Sequence, residues 1–184
     1  MSRRAGILAI AFLAGSAMAA GAVDSKPAVP AQIGGLAYKE ARKFKDPALG
    51  AALIYQREKS VLTIFIYNGG VGDIPIGVDT VVALKQFEQA KADVLASKAW
   101  TSVRLVSDGA VLLGSKANLK AYLALFEVSA GDARYNTILY LTTGRNTFYK
   151  ARLTTPTDSA ILEPEAMAQL RRDLGDFIVP LVVR

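Results

Sequence analysis

The chain of 184 residues contains no histidine and no cysteine, carries 22 lysines and arginines against 16 acids for a net charge of +6, and is 52% hydrophobic. These counts exclude Ser-His-Asp and Cys-His catalysis, zinc sites built from imidazole and thiolate, and disulfide cross-links. For metals they leave carboxylate and carbonyl oxygens and a hard cation such as calcium, and no EF-hand pattern occurs, so no metal and no cofactor is expected.

Residues 1–19 have the form of an export signal. Arg3 and Arg4 give the positive start, Gly6 to Ala14 the short apolar run, and Ala17-Met18-Ala19 the small-x-small pattern read by a signal peptidase. The apolar run falls short of the roughly 20 residues needed to cross a bilayer, and Gly15 and Ser16 interrupt it. Cleavage before Ala20 is expected, with Ala20-Gly21-Ala22 a second site. Ser2-Arg3-Arg4 resembles a twin-arginine signal, but Ala5-Gly6 stand where that signal wants an apolar pair, which points to general secretion. Without cysteine there is no lipid anchor, so the expected destination is the bacterial periplasm or beyond, with no transmembrane segment in the mature chain. Arg3 and Arg4 supply two of the +6, leaving +4 from Ala20 onward. That mild charge suits anionic headgroups, glycans or plain solubility, and no nucleic-acid partner is expected.

Residues 20–34, with Pro27 and Pro30 and no periodicity, read as a flexible lead-in, and residues 35–184 as one domain. Gly35 to Lys45 alternates loosely and is rich in charge, like an exposed edge strand, and Asp46 to Gly50 supply a turn. Ala51 to Arg57 and Val61 to Asn68 form a hairpin about Glu58-Lys59-Ser60. The second run is apolar on both parities, as an interior strand is. After the loop Gly69 to Val78, Asp79 is placed to cap a helix. Its apolar stripe is Val81, Leu84, Phe87, Val94 and Leu95, and its wet side is Lys85, Glu88, Lys91 and Asp93.

Four more strands are predicted near Thr101 to Ser107, Leu119 to Val128, Asn136 to Thr142 and Thr147 to Thr154, with Ala110 to Leu113 a fifth or a continuation. Gly131-Asp132 and Gly144-Arg145-Asn146 are their turns. Pro164 opens a final helix through Met167, Leu170, Leu174, Phe177 and Ile178, which Pro180 is expected to end. The order of elements predicts an α+β fold: an antiparallel sheet of about six to seven strands with two main helices packed on it.

Two phosphate-loop lookalikes fail on chemistry. Gly109 to Lys116 ends Ser-Lys, whereas a P-loop needs lysine at the phosphates followed by a hydroxyl for magnesium. Gly70-Val71-Gly72-Asp73-Ile74-Pro75 has proline where a dinucleotide fingerprint has its third glycine. It remains the longest glycine-rich stretch, and Asp73 its one carboxylate. Glu163 with Glu165 and Asp173 with Asp176 are accounted for by helix capping and solvation. Asp73 and Asp132 are single loop acids, and a hydrolase would need two acids brought together.

The best candidate surface comes from strand parity. Tyr149, Ala151 and Leu153 share an apolar face, leaving Phe148, Lys150 and Arg152 on the other, just after Arg145 in the turn. Two cations and an aromatic on one face suit a phosphate, a carboxylate or a sugar ring. A second basic run, Lys39, Arg42, Lys43 and Lys45, lies on the presumed edge strand, where charge commonly guards against aggregation.

The stretches Ala52 to Tyr55, Thr63 to Asn68 with Asp73-Ile74-Pro75, Phe87 to Ala90, and Tyr140-Leu141-Thr142 followed by Tyr149 to Arg152 resemble an uncharacterised group of exported bacterial proteins. The resemblance spans most of residues 35–155 and implies export and a common fold. In element order the chain is also similar, more distantly, to the PsbP/Mog1-like α/β sandwich, which implies accessory or binding work without catalysis. The expected function is a non-enzymatic exported protein. It would bind a small anionic or glycan-like ligand, or an envelope protein, through Arg145, Phe148, Lys150 and Arg152 or the loop of Asp73. The alternatives are a carboxylate-dependent hydrolase and an assembly factor acting through the exposed edge strand.

Overall fold

The computed structural model describes residues 29–116 and 118–183; the expected export signal and most of the expected lead-in lie outside the described residues. Eight strands form one antiparallel sheet: β1 (Gln32–Ile33), β2 (Leu36–Lys43), β3 (Ala51–Arg57), β4 (Ser60–Tyr67), β5 (Ser102–Leu113), β6 (Leu119–Ala130), β7 (Ala133–Gly144) and β8 (Thr147–Pro156). Their spatial order is β1-β2-β3-β4-β8-β7-β6-β5. Two four-stranded meanders are thus joined edge to edge through β4 and β8, in the register Leu62 to Leu153 and Phe65 to Lys150. Helix α1 (Val81–Leu95) connects the meanders, and helix α2 (Pro164–Val183) follows the second.

Tight turns set the registers. Arg145 and Asn146 close the β7–β8 hairpin with φ of 50° and 56°, the left-handed pair that a two-residue hairpin loop of matching twist requires. The two helices lie on opposite faces. Leu170, Leu174, Phe177, Ile178 and Val182 of α2 enter one continuous core with Leu36, Tyr55, Leu62, Ile64, Tyr140 and Leu153. On the other face, Phe87, Ala90 and Val94 of α1 pack on Ala124, Phe126, Leu139 and Leu141 of β6 and β7.

The α+β class and the antiparallel sheet are as the element order predicted, with one strand more than expected. The extra strand is β1, two residues of the presumed lead-in. Ile33 is fully buried, and the Gly34 amide donates to Asp173 Oδ2 at 2.8 Å. The segments at Thr101 to Ser107 and Ala110 to Leu113 are one strand, β5, with an irregularity between Leu105 and Ser107.

The α1 stripe differs from expectation. The buried side is Ala83, Phe87, Ala90 and Val94, at spacings of four, three and four, whereas Val81, Leu84 and Leu95 are exposed. The two alanines let the helix sit close to the sheet, and their modest hydropathy hides them from a search for large apolar residues. Thr80, not Asp79, caps the helix, its hydroxyl accepting from the Ala83 amide at 3.1 Å. Asp79 instead meets Lys120 at 2.6 Å.

Pro180 lies inside α2 and does not end it. Proline removes one hydrogen bond to the Asp176 carbonyl, but Ile178 and Val182 on either side are buried against the sheet and carry the helix through.

The P-loop lookalike is a packing device. A Cβ on Gly175 of α2 would collide with the backbone of Gly114, which sits at φ 90° in the turn after β5. Ser115 donates both its amide and its hydroxyl to Asp176, and these bonds hold that carboxyl below its ordinary value.

Candidate functional site

Strand β8 lies between β4 and β7, so its Lys150 and Arg152 stand in the middle of the sheet on the α1 face. Phe65 and Thr63 are opposite them on β4, and Leu141 and Leu139 on β7. α1 packs on β6 and β7, and its Gln86 reaches across β8 to Tyr67 of β4. Beyond the cations, away from α1, the same face carries Phe65 and Thr63 of β4, Ala52 and Ile54 of β3, and Arg42 and Glu40 of β2.

The Lys150 ammonium lies 4.9 Å from the Phe65 ring centroid and 5.4 Å from that of Tyr67. Such contacts are worth roughly 0.5–2 kcal/mol, more as water is excluded. The Tyr67 hydroxyl accepts from Gln86 Nε2 of α1 at 3.0 Å. Burial pushes that phenol up to about 12; the Gln86 hydrogen bond opposes the shift and Asp93 adds to it.

Both cations are half-buried, and neither forms an ion pair among the described residues. Burial lowers the Lys150 pKa first, and the positive charge of Arg152 lowers it further; burial likewise lowers that of Arg152. Asp93 on α1 opposes both shifts through its field, but its carboxylate is hydrogen-bonded to Gln89 at 2.9 Å. Two adjacent, partly desolvated, unpaired cations are costly to keep.

The remaining candidates are placed differently. Phe148 shares the parity of Lys150 and Arg152 but is fully buried, its ring 5.5 Å from that of Tyr67, and so offers no platform to a sugar. Phe65 and Tyr67, from the neighbouring strand, are the rings that line Lys150. Arg145 is exposed in the hairpin turn at the end of the face. The glycine loop docks on that same end: the Ile74 amide donates to Asn146 Oδ1 at 3.0 Å, and the Thr143 hydroxyl donates to the carbonyls of Pro75 and Gly77 at 2.7 and 2.8 Å. Asp73 and Arg145 thus come to one end of the sheet without forming an ion pair among those of the described residues.

Of the paired acids, Asp173 and Asp176 serve as acceptors for Gly34 and Ser115. Asp73 and Asp132 sit at opposite ends of β7, whose 12 residues span about 40 Å, too far for joint chemistry. A cleft that sequence reasoning missed lies at the sheet end away from the glycine loop. About 320 Å³ in volume, it is lined by Glu58, Lys59, Asp158 and Ser159, and Asp132 and Arg134 line an adjoining depression. Its residues come from the β3–β4 turn and the segment after β8, brought together by the β4–β8 pairing, and the β7–β8 pairing adds the β6–β7 turn of the adjoining depression. The basic edge strand β2 is paired outward by β1 at Leu36 and Ala37, and Arg42 is bonded to Glu40. No group of three acid, histidine or cysteine side chains fit to hold a metal occurs among the described residues.

No protein-family model matches the chain, and no curated protein matches it. Among solved structures, the chain is similar to the solution structure of cyanobacterial PsbP (CyanoP) from Synechocystis sp. PCC 6803, with 18% identity, coverage of 65% of this chain and 70% of that one, and a TM-score of 0.42. Among the described residues no helix is long and apolar enough to cross a membrane.

Proposed function

We propose that the protein is an exported, non-catalytic binding protein whose Lys150–Arg152 row receives the anionic group of a small ligand or of an envelope partner. One observation carries this reading. Two half-buried cations stand side by side at the centre of the sheet, with no carboxylate at ion-pair distance among the described residues. A bound carboxylate or phosphate would supply the missing countercharge, and arginine beside lysine offers both a fork of donors and a point charge. The N-terminal pattern of Arg3, Arg4 and Ala17-Met18-Ala19 supports export.

Native mass spectrometry of the mature chain from its producer's envelope tests the reading. The expected spectrum contains an adduct that disappears in Lys150→Ala and Arg152→Ala; a bare wild-type chain would overturn tight binding. A second reading, a carboxylate-dependent hydrolase, rests on Glu58 and Asp158 lining one cleft. Loss of a hydrolytic activity in Asp158→Asn, with Arg152→Ala unaffected, would move the function there.

A further inference from the structure

The bare part of the α1 face has a definite size and chemistry. Across it run two rows: Arg42, Ala52, Phe65 and Lys150, and Glu40, Ile54, Thr63 and Arg152. Three strand spacings of about 4.8 Å separate β8 from β2, so the floor is about 14 Å wide. Its middle, on β3 and β4, is mostly apolar: Ile54 and Phe65 are half-buried, Ala52 is buried between Phe65 and the edge, and Thr63 is the one hydroxyl among them. Its two margins are polar in different ways. On β2, Arg42 is already bonded to Glu40; on β8, Lys150 and Arg152 lack such a partner. Charge is therefore left over at one margin and apolar surface beside it.

A fully hydrated anion would use the cations and leave Phe65 and Ile54 wet. An uncharged apolar molecule would cover the floor and leave the cations uncompensated in a drier site, at a cost. A ligand with both parts satisfies both. We propose that this face takes an acidic amphiphile, a single carboxylate or phosphate head on Lys150 and Arg152 with an apolar body of about 10 Å, two strand spacings, laid across Phe65 and Ile54 toward β2. This rests on the anion-binding reading of the same face and adds the body to the head.

The test is titration calorimetry of the mature wild-type chain with four probes: decanoate below its micelle concentration, acetate, inorganic phosphate and decyltrimethylammonium. Decanoate is expected to bind at least tenfold more tightly than the other three. Arg152→Met should lose at least tenfold in decanoate affinity. Ile54→Gln should lose about fivefold for decanoate while leaving phosphate unchanged. If phosphate binds as well as decanoate and is lost in Arg152→Met, the amphiphile is overturned and the anion site stands. Equal binding of decyltrimethylammonium, or no binding of any probe, overturns both. The wild-type series alone decides the matter should a variant fold poorly.

Discussion

The two faces of the sheet are built to different standards. On the α2 face, a 20-residue helix meets strands from both meanders in one continuous core. On the α1 face, a 15-residue helix packs on β6 and β7, and the surface beside it carries two cations without an ion pair among the described residues, one of them, Lys150, over aromatic rings. The two helices thus do unequal work: α2 closes one core across both meanders, and α1 covers part of its face. The α2 face holds the meanders together, which leaves the other free to keep groups that a core would reject.

That division can be broken most forcefully from the α2 side. Leu174 is fully buried, and Leu174→Ala should cost about 3 kcal/mol, read as a lowered urea midpoint at unchanged slope; a loss below about 1 kcal/mol would show that the face is not the seat of stability.

Next in size is an alkaline limb. Burial raises the phenols of Tyr55 and Tyr140 from 10.0 to about 12, and Arg171 beside the Tyr140 hydroxyl opposes that shift without cancelling it. Both stay protonated in the fold at a pH where the unfolded chain releases the proton. Their stabilising contribution is therefore complete below pH 10 and is lost as pH rises toward 12. Tyr140→Phe and Tyr55→Phe should flatten that fall by about 2 kcal/mol or less each, while changing stability little at pH 7. An unchanged alkaline midpoint in both variants would sink the assignment.

The α1 face should respond in the opposite direction. Arg152→Met removes a desolvated, unpaired charge and is expected to raise stability by about 1 kcal/mol while abolishing ligand binding. A loss of stability would mean that the guanidinium has a structural partner. The smallest effect is at the start of α1. Thr80→Ala should cost about 0.5 kcal/mol, seen as faster amide exchange in the first turn and no change in binding, since Gln86 and Asp93 lie further along.

How much of this could be read from the sequence follows one rule: periodicity within an element was legible, and pairing between elements was not. The parity of β8 put Lys150 and Arg152 on one face, and the double apolar parity of Val61 to Tyr67 marked β4 as interior. Neither could say that these two strands are neighbours, so Phe65 and Tyr67 were missed as the rings beside Lys150. Phe148 was over-read for the same reason: the glycine loop bonds to Thr143, which pairs with Phe148, and strand parity carries no trace of that loop. Pro180 misled because a local rule for ending helices was outweighed by the burial of Ile178 and Val182.

The seam between β4 and β8 has a consequence in time. In a chain made from its N-terminus, β1 to β4 emerge as a four-stranded sheet whose inner edge stays open until the last strand, β8, has appeared. Helix α2, which supplies the core of that sheet, comes later still. The first half must wait, with a hydrophobic strand unpartnered, for contacts of long sequence separation that are slow to form. The tolerance of this protein to slow synthesis, or to a passage that delivers it piecemeal, is therefore set by how long β4 can be kept from finding another partner.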